Sequence, residues 1–170
     1  QAQSQQQAGA VALDINVGAP GIDEASAMKR AVHTVNSSSS LPILIDSPDP
    51  RAVEEGLKAV DGRALVNSVS GEEKRLSSIL PLVKKYGAAC IALLLDEKGI
   101  PPKAEARLAI ARRILRRARS LGIPPEDIVF DALTMTVSAV EDGRKETLRT
   151  QSLLKEKLGA MTILGVSNVS

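Results

Sequence analysis

The stretch 41–50, LPILIDSPDP, holds a complete strand-to-helix junction. Leu41 to Asp46 is a short apolar run that closes on a carboxylate. Asp49 followed by Pro50 then supplies an N-cap and a proline at the first helical position, where its missing N–H costs nothing. Val53, Leu57 and Val60 fall on one helical face before Asp61-Gly62 stops the helix. The next apolar run, Arg63 to Asn67, follows at once. Strand, helix and strand in this order make a unit whose two strands lie parallel.

The same unit recurs on both sides. Upstream, Gly9 to Val17 reads as a strand in which Val11, Leu13, Ile15 and Val17 alternate. Gly18 to Gly21 turns the chain, Asp23 caps a helix running to about Val35, and residues 36–40 form a polar loop. Downstream, Ser70 is expected to cap a helix carrying the stripe Leu76, Ile79, Leu80 and Val83. Ala88 to Leu95 is continuously apolar, as in a strand buried on both faces. A loop from Asp96 to Lys103 leads into a long helix. Its core face is Ala104, Leu108, Ala111, Leu115 and Ala118, and its outer face carries Arg112, Arg113, Arg116, Arg117 and Arg119, read as a solvated surface. Asp127 to Leu133 is the fifth strand, Arg144 to Leu158 is helical, and Ala160 to Val166 is the sixth strand.

An alternating chain of this kind predicts an α/β fold with a parallel sheet. All strand C-termini then share one side, and the runs end there on Asp14-Ile15-Asn16, Asp46-Ser47, Asn67-Ser68, Asp96-Glu97, Asp131 and Ser167-Asn168. In a β/α barrel that side carries the chemistry. A (β/α)8 TIM barrel typically needs about 250 residues, whereas this chain has 170. The expectation is one domain over 1–170, an incomplete barrel of six strands. It opens in a polar, helix-like segment and stops just after a strand, so barrel material is expected to be missing at both ends.

Composition narrows the function. A net charge of +2 is too balanced for a nucleic-acid binder, and Tyr86 and Phe130 are the only aromatic residues, too few for base stacking. Cys90, the one cysteine, lies within an apolar run and reads as a small buried hydrophobe. With one Cys and one His there is no zinc-ligand set, and no metal site is expected. His33 falls mid-helix, away from any strand end, and reads as a surface or packing residue. No run approaches the roughly 20 apolar residues of a membrane span. Gln1 to Gln7 lacks the layout of a signal peptide, so a cytoplasmic location is expected. Gly18-Ala19-Pro20-Gly21 is not a phosphate loop, and no Ser-His-Asp grouping is visible.

The strand-end carboxylates and amides remain. Asp, Asn and Ser are common after strands because they cap the next helix, and Asp49 and Ser70 fit that role. Asp46, Asn67 and Asp131 lie at or inside the end of an apolar run, before the loop begins. Polar groups there need partners, which a ligand rich in donors and acceptors would supply.

The segments LDINVG (13–18), ILIDS (43–47), LVNSVSG (65–71), DEKGIP (96–101), IVFD (128–131) and LGVSNVS (164–170) occur in the order and approximate spacing of one family. The chain resembles the pterin-binding methyltransferases: the methyltetrahydrofolate-binding module of cobalamin-dependent methionine synthase, and the methyltetrahydrofolate:corrinoid iron–sulfur protein methyltransferase. LTMTVSA (133–139) leans towards the former. The resemblance implies a barrel of the dihydropteroate synthase-like type, lacking the family's first and last strands. It implies that Asp46, Asn67 and Asp131 hydrogen-bond the pterin ring, and that Asn168 contacts the methyl-bearing nitrogen and assists catalysis. Asp14 and Asn16, from the first motif, join them in the candidate substrate-binding set. The implied activity is methyl transfer from 5-methyltetrahydrofolate to the Co(I) of a corrinoid such as cobalamin, as in methionine biosynthesis or one-carbon metabolism. The corrinoid would come from a partner domain or protein, with a homocysteine-binding module in the same parent chain and no nucleic-acid or membrane partner. Ala132 stands where the family often has proline. Two other readings share the pocket. One is a dihydropteroate synthase-like enzyme of folate synthesis, although Asn168 stands where that enzyme carries lysine. The other is a pterin-binding fragment without turnover. An incomplete barrel would expose two strand edges and is expected to self-associate.

Overall fold

The computed structural model describes residues 1–134 and 143–165. In these residues the elements are α1 (Ala2–Gln7), β1 (Leu13–Asn16), α2 (Glu24–Asn36), β2 (Ile43–Asp46), α3 (Pro50–Ala59) and β3 (Leu65–Ser70). They continue with α4 (Glu73–Tyr86), β4 (Ala89–Leu93), α5 (Ala104–Ser120), β5 (Ile128–Asp131), α6 (Gly143–Leu158) and β6 (Met161–Ile163), with a short 3-10 turn at Pro125–Asp127. The six strands are parallel and pair in chain order, β1-β2-β3-β4-β5-β6. This is the α/β, barrel-type arrangement that the alternating pattern predicts. The chain divides into two compact units, residues 1–68 with 81–90, and residues 69–80 with 91–170.

In the first unit β1 and β2 alternate strictly. Leu13, Ile15, Ile43 and Ile45 are buried, while Asp14 and Asn16 are exposed and Leu44 and Asp46 partly so. Successive side chains of a strand point to opposite faces, so the apolar set lies under the helices and the polar set on the other face. Helix α2 packs on β1, α3 packs on β2, and the two helices pack on each other. Met28 and Val32 of α2 and Ala52 and Val53 of α3 are fully buried. Each large aliphatic side chain buried in this way contributes about 1.5–3 kcal/mol. Gly56 of α3 sits at the closest approach: a Cβ there would stand 2.9 Å from both Ile45 Cγ2 and Met28 Cγ.

The helix starts follow local chemistry. Asp49 caps α3, its Oδ1 accepting from the Arg51 amide at 2.9 Å, with Pro50 in the first turn. Ser70 does not cap α4. It is the last residue of β3, and its hydroxyl donates to Glu72 Oε2 at 2.7 Å. The Glu73 amide that opens the helix donates instead to Glu97 Oε1, at 2.8 Å. A carboxylate from the loop after β4 thus does the capping.

In the second unit α5 packs against α6, and α6 against β6. The predicted core face of α5 is buried as expected, and Arg112, Arg116 and Arg119 are exposed. Arg113 lies 3.6 Å from Glu73 and 3.7 Å from Glu97, so part of the arginine face is paired. Cys90, Ile91 and Ala92 are buried, in keeping with a strand covered on both faces.

Some strands are shorter than expected. Strand β1 begins at Leu13, and Val11 is 83% exposed. The reason is that Gly9, at φ 93°, ends α1 with the Ala10 amide on the Gln5 carbonyl. Residues 9 and 10 are used in closing that helix, and the strand starts only three residues later. At the other end β5 stops at Asp131 because Leu133 adopts φ 56°, outside the extended region. Strand β6 covers Met161–Ile163, with all three residues exposed; its predicted end, Val166, lies outside the described residues.

Candidate functional site

The last residues of β1, β2 and β3 stand in one row. Asn16 is in register with Asp46, and Asp46 with Asn67. All three occupy the strand face opposite the buried aliphatic residues, and Asp14 lies on that face of β1. Asn16 Nδ2 donates to Asp46 Oδ2 at 2.9 Å, and Asn67 Nδ2 donates to Asp14 Oδ2 at 2.9 Å. The Gly18 amide donates to Asn16 Oδ1 at 2.9 Å, which sets the orientation of that side-chain amide. A Cβ at position 18 would approach Asn16 Oδ1 to 3.3 Å, so glycine suits this turn.

This wiring has a chemical consequence. Each Asn amide spends one of its two N–H donors within the row. Asp14 Oδ1, Asp46 Oδ1 and Asn67 Oδ1 have no hydrogen-bond partner among the described residues. The row therefore offers more acceptor sites than donors, and it suits a flat ligand edge that presents several N–H groups. Partial loss of solvent raises the Asp14 pKa above its ordinary value, and the nearby Asp46 charge pushes the same way, while the Asn67 hydrogen bond opposes them.

Behind the row, Ser47 is almost fully buried and donates to Glu24 Oε1 at 2.5 Å. This bond ties the loop after β2 to the start of α2. The strand-four cluster has a different task. Asp96 Oδ1 accepts from the Lys98 amide at 2.9 Å within a tight turn closed by Asp96 and Gly99. With Glu97 capping α4, both acids there serve the backbone.

In the second unit Asp131 ends β5 half-buried, and its Oδ1 accepts from the Leu133 amide at 2.8 Å. Burial raises its pKa, and that amide bond opposes the rise. Arg107 of α5 was not anticipated as a site residue. It is fully buried and donates through Nη1 to the carbonyls of Ala132, at 2.8 Å, and Leu133, at 3.0 Å. Its Nε donates to Pro101 O at 2.8 Å. Burial lowers the guanidinium pKa, and the Glu146 charge works against that. Asp14, Asn16, Asp46 and Asn67 are thus brought together within the first unit, and Asp131 is held on its own arm in the second. Asn168 lies outside the described residues, as does most of 133–139.

A model of the family described as "Pterin binding enzyme" matches residues 1–170. The chain belongs to the pterin-binding enzyme family. It is 33% identical to a methionine synthase of Mycobacterium tuberculosis over 99% of its own length. It spans only about 15% of the length of the curated relatives that it matches. Among solved structures it resembles a dihydropteroate synthase from Clostridium difficile, with a TM-score of 0.75 and 24% identity over 96% of this chain and 64% of that one. A dihydropteroate synthase from Thermus thermophilus gives a TM-score of 0.66 and 25% identity over 98% of this chain and 64% of the other. This pterin-binding fold is the one expected from the six ordered motifs. Among the described residues no helix is long and apolar enough to cross a membrane, and no group of three or more His, Cys, Asp and Glu side chains could hold a metal ion.

Proposed function

We propose that this chain binds the pterin ring of 5-methyltetrahydrofolate and presents its methyl group for transfer to a corrinoid. The observation that carries this reading is the acceptor row of Asp14, Asp46 and Asn67, wired internally so that its unused oxygens suit an edge of N–H donors. A pterin edge, with its amino group and ring N–H, is such an edge. Asp131 is proposed to complete the ring contacts, with its amide-bound Oδ1 fixed and its other oxygen left for the ligand. Asn168 is proposed to contact the methyl-bearing nitrogen. The acceptor, Co(I) of a cobalamin or other corrinoid, would be held by a partner domain or protein and would supply the nucleophile. The role of this chain's own residues is to bind, to orient and to hydrogen-bond the nitrogen as it loses its methyl group. The likeness to methionine synthases supports that assignment, a homocysteine-binding module in the same parent chain, and a cytoplasmic setting.

The test separates binding from transfer. Calorimetric titration with 5-methyltetrahydrofolate should give a dissociation constant, and Asp46→Ala should weaken it about tenfold or more. Losing a hydrogen bond to a charged group is typically about 1.5–3 kcal/mol. Asn168→Ala in the parent protein should slow single-turnover methylation of Co(I) cobalamin by roughly 10²–10³ while changing binding little. If Asn168→Ala harmed binding alone, the assigned role would be wrong. The second reading, a dihydropteroate synthase-like activity, is favoured by the fold neighbours. Condensation of p-aminobenzoate with a dihydropterin pyrophosphate would support it, and binding without either turnover would leave a pterin-binding module.

A further inference from the structure

We propose that Arg107 is the positioning residue of the β5 arm, holding the Ala132–Leu133 backbone so that the Leu133 amide clamps one oxygen of Asp131 and leaves the other for ligand. The inference rests on reading Asp131 as a ligand contact. The geometry carries it in three steps. Asp131 Oδ1 accepts from the amide of Leu133, at 2.8 Å. Leu133 itself adopts a left-handed conformation, φ 56°, which a side-chain-bearing residue seldom adopts unless its surroundings hold it there. Arg107 Nη1 holds it, through the carbonyls of the two peptide groups that flank Leu133, Ala132 O and Leu133 O, with Thr147 Oγ1 adding a second bond to Leu133 O at 3.1 Å. A guanidinium can grip two carbonyls and, through Nε, a third on Pro101, because its donors form a rigid fork. A lysine ammonium keeps the charge but loses the fork. The charge of Glu146 on α6 acts on Arg107, and Lys103 is paired with Glu146 at 3.1 Å; neither is altered by the variants below.

An arginine that merely fills the core between α5 and α6 would affect stability and nothing else. The decisive measurement is therefore the titration of Asp131, followed by carbon-13 NMR of its carboxyl carbon in the full 170-residue chain. In Arg107→Lys the Leu133 amide leaves Oδ1 while burial persists, so the Asp131 midpoint should rise by about one unit. An unchanged midpoint in folded Arg107→Lys overturns the proposal, with or without ligand. Calorimetry with 5-methyltetrahydrofolate supplies the second arm. Arg107→Lys should weaken binding about tenfold, and adding Asp131→Ala should then cost little more, whereas Asp46→Ala should keep its full effect in both backgrounds. Fully additive losses from Arg107→Lys and Asp131→Ala would also overturn it. A shifted Asp131 titration in a chain that binds no folate would sink the proposed function and leave the positioning role standing. Should Arg107→Lys not fold, Thr147→Val, which removes the other donor to Leu133 O, should move Asp131 in the same direction by less, and no movement would count against the proposal.

Discussion

Asp14 and Asp46 put two carboxylates into one strand-end row, with only the amides of Asn16 and Asn67 to offset them. Partial burial, with the Asp46 charge adding to it, makes the folded chain resist ionisation of Asp14, whose pKa lies above the ordinary 3.8. The sign follows from linkage. A carboxyl with a raised folded-state pKa binds its proton more tightly when folded, so its favourable contribution is complete below the ordinary value and is lost as pH rises through the raised one. Asp14→Asn should therefore raise the urea midpoint at pH 7 relative to the parent and lose that advantage near pH 3. An equal gain at both pH values would show that the charge is not the cause. The same substitution should weaken folate binding, because it removes a carboxylate acceptor from the row. The strand-end places of Asp46 and Asn67 were legible in the sequence because each closes an apolar run. Arg107 was not, although it left a trace: it sits three residues after Ala104 and four before Ala111, on the apolar stripe of α5. A cation on a core stripe marks a buried partner, but sequence alone does not say that the partner is a carbonyl pair on a distant loop.

Among the elements, α3 shows how tightly this row is backed. Gly56→Ala would gain about 1 kcal/mol of helix propensity. It would also drive a methyl group to 2.9 Å from Ile45 and Met28, both fully buried. Overpacking of that kind typically costs about 1–3 kcal/mol, so the clash should win and the urea midpoint should fall. A rise in the midpoint would mean that α2 slides away at little cost. Strand β2 carries Ile45 and, one residue later, Asp46, so a shift there should also reach the site and weaken folate binding. Helix and strand identities were readable from periodicity and caps. Their ends were less so, because they depend on partners far along the chain: Glu97 caps α4 in place of Ser70, and the closing turn of α1 takes up the residues just before Val11.

At the scale of the whole molecule, β1 and β6 are the two ends of the strand order among the described residues, and Met161 and Ile163 on β6 are 52% and 40% exposed. An edge strand with exposed apolar residues is a template for pairing with another copy. Sedimentation velocity should show association that grows with concentration, and Met161→Lys with Ile163→Lys should suppress it. A monodisperse monomer at high concentration would contradict this. The barrel class was legible because six strand–helix units in order leave few alternatives. How the two compact units share the work was not, since nothing local marks a boundary that falls inside β3, α4 and β4.

That boundary can be watched by light. The chain has no tryptophan and one tyrosine. Tyr86 closes α4 within the first unit, its hydroxyl donating to Glu54 at 3.0 Å and the Lys85 ammonium lying 5.0 Å from its ring centroid. Intrinsic emission at about 305 nm therefore reports one unit alone, while far-ultraviolet circular dichroism averages the helices of both. Because each of β3, α4 and β4 is divided between the units, neither holds a complete set of elements, and the two signals should melt at the same urea concentration. A tyrosine midpoint at higher urea than the dichroism midpoint would show that the acceptor row can survive the loss of the Asp131 arm.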